Sequence, residues 1–162
     1  MINKKYKGVW FYGISGSGKT QASKYLKKKI KNSIILDGDQ VRRFISFDLG
    51  YTVKDRKVQI KRMLGLGKIC IKSKIFPILS TVYMNTNLKI KLKKEKILLI
   101  CVLRDFKRIK NRKRIYNTKM KNVVGVDIKT PRISGKFYLE NNETIEKLNS
   151  KLRKIIHGWP RR

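Results

Sequence analysis

The chain has 162 residues, with 42 Lys and Arg against 10 Asp and Glu, for a formal net charge of +32. That length suits one domain, a sheet covered by helices, and no apolar run approaches the roughly 20 residues of a membrane span. Cys70 and Cys101 sit in apolar runs and suggest a reducing cytoplasm rather than a disulfide framework, while the apolar stretch after the basic start is too short for a signal peptide.

Apolar runs alternate with helical patterns, which predicts parallel βαβ units. The first strand is expected at residues 7–12, followed by a glycine-rich turn and a helix over 18–31. A second strand at 33–36 ends in Asp37-Gly38-Asp39. A long helix is expected over 54–74, where Ile60, Met63, Leu64 and Gly67 share one face. A strand at 76–82 and a short basic helix at 88–94 come next. The run 97–103 is almost wholly apolar, as a strand buried on both faces should be. Residues 104–121 are strongly basic and read as a helix giving way to a loop, with a basic lid over 113–125. A short strand at 137–139 precedes a helix over 143–156 capped by Asn142, and 157–162 reads as a frayed tail with a surface His157. The expected class is α/β, a mostly parallel sheet sandwiched by helices.

The chemistry concentrates first at Gly13-Ile14-Ser15-Gly16-Ser17-Gly18-Lys19-Thr20, which fits G-x-x-x-x-G-K-[ST] at every fixed position, between a strand and a helix. Glycines there let backbone N–H groups turn around an anion, and the helix N-terminus adds its positive dipole end. Lys19 is expected on the β- and γ-phosphates of ATP and Thr20 on Mg²⁺. The second site is Asp37-Gly38-Asp39-Gln40-Val41-Arg42. Ligands of open parallel sheets bind beyond the carboxyl ends of the strands, which puts both aspartates on the rim of the phosphate loop. A carboxylate there orients or deprotonates an attacking hydroxyl, or holds a magnesium water, and Arg42 suits an acceptor phosphate. The plainer reading of the same turn is an aspartate capping the next helix.

The segments GISGSGKT, LDGDQVR, DLGYTVKDRKVQIKRM and KNVVGVD occur in the order seen in adenylylsulfate (APS) kinases, which the chain resembles over residues 8–127. The resemblance implies a P-loop kinase fold and transfer of the γ-phosphoryl of ATP to a ribose 3′-hydroxyl of a small nucleotide. It implies Lys19 and Thr20 on ATP and Mg²⁺, with Asp39 as the carboxylate at the acceptor hydroxyl and the metal water. Ser80 matches a serine standing where other P-loop enzymes carry a metal-coordinating aspartate. Asp37, Arg42 and Arg56 fall on acceptor-binding positions, Tyr51 on the aromatic that stacks on the base, and Lys121 and Asn122 on the lid. Family members are often homodimers, though this sequence marks no interface.

The departures fall on the acceptor side. Gln59 replaces an asparagine, Val123 replaces the phenylalanine on the second side of the base sandwich, and the stretch after Ser80 lacks the family's proline and arginine. Base–aromatic stacking is worth about 1–3 kcal/mol, so losing one ring weakens adenine selection by roughly 5–150-fold. A rebuilt pocket points to an acceptor of the cytidine diphosphoramidate kind, used by relatives in capsular polysaccharide modification. Adenylylsulfate, in sulfate activation, stands as the alternative.

A charge of +32 also suits a nucleic-acid binder or polynucleotide kinase, with Tyr116 among the basic residues 107–121 tracking a backbone. Against that, the excess of Lys, Ile and Asn and the single alanine, Ala22, match drift in an A/T-rich genome, and the charge forms no separate tail. The same basic stretch reads as a lid closing over ATP, and no nucleic-acid partner or transition metal is expected.

Overall fold

The computed structural model describes residues 6–129 and 137–156. The tail assigned to 157–162, with His157, lies outside these residues. The strands are β1 (Gly8–Tyr12), β2 (Ser33–Asp37), β3 (Phe76–Thr81), β4 (Ile97–Leu103) and β5 (Phe137–Glu140). The helices are α1 (Lys19–Lys29), α2 (Gly38–Phe44), α3 (Val53–Lys72), α4 (Lys89–Lys94), α5 (Phe106–Lys110) and α6 (Ile145–Ile155), with 3₁₀ turns at Thr86–Leu88 and Arg114–Tyr116. Every strand pair is parallel and the order is β2-β3-β1-β4-β5, so all five carboxyl ends lie on one rim.

β1 lies at the centre and is buried along its whole length. Its side chains alternate across the sheet. Val9 and Phe11 pack with Leu26 of α1 and Leu148 and Leu152 of α6, while Trp10 and Tyr12 pack with Ile60, Met63 and Leu64 of α3 and Leu92 of α4. This alternation gives a three-layer sandwich, with the period-2 strand pattern meeting helices on both faces. The expected face of α3 is present, and Gln59 joins it as a buried polar residue. α3 starts at a capping box, with Thr52 and Asp55 each accepting from the other's backbone N–H.

One expectation changes, and the plainer reading of the Asp37 turn is met. The cap of α6 is Thr144, whose hydroxyl accepts from Lys147 N, and not Asn142. Asn142 instead accepts from Asp105 N and, through its carbonyl, from Arg108, tying the end of β5 to the start of α5. The segment after β2 forms the short helix α2, capped by Asp37. Among the described residues no helix is long and apolar enough to cross a membrane, and both cysteines are unpaired.

Leu26 is fully buried between sheet and helices. Truncation to Ala is expected to lower stability by about 2–5 kcal/mol, seen as a lower urea midpoint at unchanged m-value.

Candidate functional site

Local backbone sets the phosphate loop. It leaves β1 at the central strand's carboxyl end and enters α1 through Gly18, which holds a left-handed conformation at φ 111°. A Cβ on Gly18 would run into Asn141 Nδ2, and a Cβ on Gly16, at φ 81°, would meet Ile109 and Lys113 at 3.1 Å. Gly18 is therefore required by conformation and by close approach, and Gly16 by its left-handed conformation. Three distant groups hold the loop from outside. Asn141, at the carboxyl end of β5, donates to Ser17 O at 2.7 Å, and the Tyr116 hydroxyl donates to Ser15 O at 2.9 Å. Ile14 packs beneath Ile109, Tyr116 and Val123.

Lys19 folds back so that Nζ donates to Gly13 O at 2.7 Å and Ile14 O at 2.9 Å. Burial depresses its pKa to about 8, against the opposing pull of Asp39 and Asp37. Thr20 is exposed in the first turn of α1. Across the rim, register pairs Asp37 of β2 with Ser80 of β3, and Ser80 Oγ donates to Asp37 Oδ2 at 2.8 Å. Asp37 Oδ1 meanwhile accepts from Asp39 N at 3.0 Å. Asp37 is thus committed to the cap and to Ser80, whereas the exposed Asp39 carboxylate makes no hydrogen bond among the described residues. A cavity of about 310 Å³ joins Ser15, Gly16, Lys19, Thr20, Asp39 and Ser80, and reaches Arg104 and Lys113.

A narrower cleft of about 30 Å³ continues from Asp39 past Arg42, Tyr51, Arg56 and Gln59 to Tyr83. Two guanidinium groups approach the exposed Tyr51 ring, with Arg42 Cζ at 4.8 Å and Arg56 Cζ at 5.6 Å from its centroid. Arg42 donates to Leu49 O at 3.3 Å and to Gly50 O. Arg56 donates to Tyr51 O at 3.0 Å and to Asn122 O at 2.8 Å. Burial and the neighbouring Arg42 cation both push the Arg56 pKa below the usual guanidinium value. Gln59 Nε2 donates to Gly38 O at 3.1 Å, which leaves Gln59 Oε1 buried without a partner.

The fold therefore gathers Lys19, Thr20, Asp37, Asp39, Ser80, Arg42, Tyr51, Arg56 and Gln59 around two adjoining spaces. Asn122 reaches them only through its carbonyl on Arg56. Lys121 and Val123 line neither space. Val123 is 4% exposed and belongs to the small apolar core that seats the basic segment on the phosphate loop. Sequence reasoning missed Arg104, Asn141 and Tyr83. The first two follow the carboxyl ends of β4 and β5, so the rule that parallel sheets bind ligands at those ends was the available signal.

The residues suit ATP and Mg²⁺. The loop's inward backbone, the free Asp39 carboxylate and the exposed Thr20 hydroxyl form a hard-oxygen donor set that leaves room for phosphate and water ligands.

The adenylylsulphate kinase family matches residues 5–130. A relative from Buchnera aphidicola subsp. Schizaphis graminum, an adenylyl-sulfate kinase, is 31% identical over 92% of this chain and 76% of its own. The APS kinase of Mycobacterium tuberculosis, solved with AMPPNP and APS, superposes with a TM-score of 0.73 at 20% identity, covering 93% of this chain and 97% of that one. A hexameric APS kinase from Thiobacillus denitrificans gives 0.65 at 18% identity, over 97% of this chain and 30% of that one.

The lowered Lys19 pKa has a sign. In the free protein Lys19 gives up its proton as pH climbs through about 8, whereas bound phosphates favour the charged form. Affinity for ATP is expected to fall above that pH, with proton uptake on binding, measured by titration calorimetry in buffers of different ionisation enthalpy. Lys19→Met should bind weakly and lose this dependence.

A free carboxylate facing a glycine cradle, on the rim of an all-parallel sheet and within a matching family segment, places this chain in the adenylylsulphate kinase family, ATP- and Mg²⁺-dependent kinases that phosphorylate an alcohol group.

Proposed function

We propose that the protein phosphorylates the ribose 3′-hydroxyl of adenylylsulfate, the sulfate-activation reaction. The observation that carries the reading is the continuity of the two spaces at Asp39. The phosphate cavity and the arginine–tyrosine cleft share Gly38, Asp39, Thr81 and Val82, so a hydroxyl presented from the cleft meets a phosphoryl presented from the loop. The relatives' names favour adenylylsulfate over a cytidine diphosphoramidate-type acceptor. The position of Val123 supports the same choice. Because Val123 packs inside the lid core, its replacement of a phenylalanine does not by itself mark a smaller base, and Tyr83 faces the cleft as a second ring.

Asp39 accepts the proton of the 3′-hydroxyl. That oxygen bonds to the γ-phosphorus as the bond from phosphorus to the β–γ bridging oxygen breaks, and ADP leaves with the electron pair. Lys19 exchanges its carbonyl partners for phosphate oxygens. The Thr20 hydroxyl and, through a water, Asp39 would hold Mg²⁺, which when bound would supply charge neutralisation. Arg42 and Arg56 exchange their contacts with Tyr51 for the acceptor's phosphate and sulfate oxygens, opening the Tyr51 ring to the base. Gln59 Oε1 accepts from a donor on the acceptor nucleotide, which relieves a buried unpaired oxygen. A net charge of +32 concentrates both anionic substrates near the protein. We further assign one domain, with the basic segment 113–125 as lid.

The test is ADP release with ATP and Mg²⁺, comparing adenylylsulfate with cytidine diphosphoramidate, and ³¹P NMR of the products. Turnover confined to adenylylsulfate is expected; turnover confined to the cytidine compound would overturn the acceptor. Asp39→Asn should lower kcat by about 10²–10⁴-fold while leaving ADP affinity unchanged. An undiminished kcat would remove Asp39 from its role.

A further inference from the structure

Arg104 follows β4 directly and lines the phosphate cavity together with Lys19 and Lys113. It is partly buried, yet it makes no hydrogen bond or ion pair among the described residues, and its Nε is buried without a partner. A part-buried guanidinium is costly to leave unsatisfied, because each desolvated N–H forfeits a hydrogen bond to water. The other arginines around the two spaces differ in this respect. Arg42 and Arg56, which line the cleft, are tied to backbone carbonyls.

Nearby carboxylates offer no relief. Asp37 is taken by Ser80 and by its own helix, and Asp105 caps α5 by accepting from Lys107 N. Asp39 carries the free carboxylate of the same cavity. With Asp37 and Asp39 set against Lys19, Lys113 and Arg104, the cavity lining keeps a net positive charge, and Lys19 already donates to Gly13 O and Ile14 O, which leaves the Arg104 guanidinium to be satisfied by an incoming anion. The planar guanidinium also differs from the two ammonium groups, since it presents paired N–H donors that match two oxygens of one phosphoryl group.

We infer that Arg104 is a catalytic residue of this kinase, donating hydrogen bonds from its guanidinium to the non-bridging oxygens of the γ-phosphoryl as it passes from ATP to the acceptor. Arg104 neither gains nor loses a proton. The bond made joins the acceptor oxygen to phosphorus, and the bond broken joins phosphorus to the β–γ bridging oxygen. Charge collects on the equatorial and leaving oxygens as this happens, and a pre-placed cation in a recessed cavity stabilises that stage more than the ground state. Arg104 directly follows β4, whose pairing with β1 runs to Cys101, so its backbone starts from the sheet rim beside the phosphate loop. The inference rests on the kinase reading of the phosphate cavity, and it is independent of which acceptor is used.

The experiment compares full-length wild type, Arg104→Gln and Arg104→Lys. Two readings avoid the acceptor altogether: the Kd of Mg·ADP with and without aluminium fluoride, which mimics the transferring phosphoryl, and the slow hydrolysis of ATP by water. Wild type is expected to bind Mg·ADP more tightly when fluoride is added. Arg104→Gln should keep its affinity for Mg·ADP alone and lose most of that tightening, while its kcat falls by about 10²-fold at unchanged KM for ATP. Arg104→Lys should recover part of the tightening, since it restores charge without the paired donors. Thermal melting separates these effects from a loss of fold, which would weaken Mg·ADP binding as well. Undiminished fluoride-dependent tightening in Arg104→Gln would overturn the proposal, as would its absence in wild type. Failure of both candidate acceptors with wild type would instead overturn the acceptor assignment and leave the fluoride result standing.

Discussion

β1 hydrogen-bonds to β3 on one side and β4 on the other, and everything at the site hangs from that pairing. The strand is buried on both faces, so its residues cannot slip by one without driving Trp10 and Tyr12 into the α1–α6 layer and Val9 and Phe11 into the α3 layer. A pinned register fixes where the chain leaves the sheet at Gly13. The same pairing brings the ends of β3 and β4 to that exit, and with them Ser80 and Arg104.

Electrostatics at the rim follow from how few carboxylates face it. Asp37 serves as helix cap and as partner of Ser80, which leaves Asp39 as the cavity's carboxylate without a hydrogen bond among the described residues. The cations are held apart from it. Lys19 leans on the carbonyls of its own loop, and Arg42 and Arg56 stack against Tyr51 and bind backbone oxygens. Each of these cations has a weak neutral partner that an anionic substrate can displace. The cleft beside Tyr51 is correspondingly narrow, about 30 Å³. Arg56 also holds Asn122 O at 2.8 Å, so the acceptor side and the segment over the phosphate loop share one side chain.

Much of the fold was legible because its signals repeat along short stretches. An apolar run ahead of the glycine-rich turn marked β1, and an unbroken apolar run marked β4. The positions 60, 63, 64 and 67 marked the buried face of α3. The cap of α6 was misplaced by two residues because Asn142 and Thr144 both suit an N-cap, and only the approach of Asp105 and Arg108 takes Asn142 away. Val123 looked like a changed cavity wall when read as one position in a pattern. In this structure it packs with Ile109, Tyr116 and Ile14, a surrounding that no pattern of neighbouring residues shows.

The sequence by itself determined the phosphate loop and the Asp37–Asp39 turn, because their chemistry is carried by neighbouring residues whose backbone conformation is local. Tertiary structure alone decided which side chains complete the site. Tyr116 reaches Ser15 across 101 positions and Asn141 reaches Ser17 across 124, and Arg104 comes to the phosphate cavity only because β4 pairs with β1. Contacts at that separation leave no periodicity or spacing in the chain. They exist only after the parallel sheet has brought its carboxyl ends together.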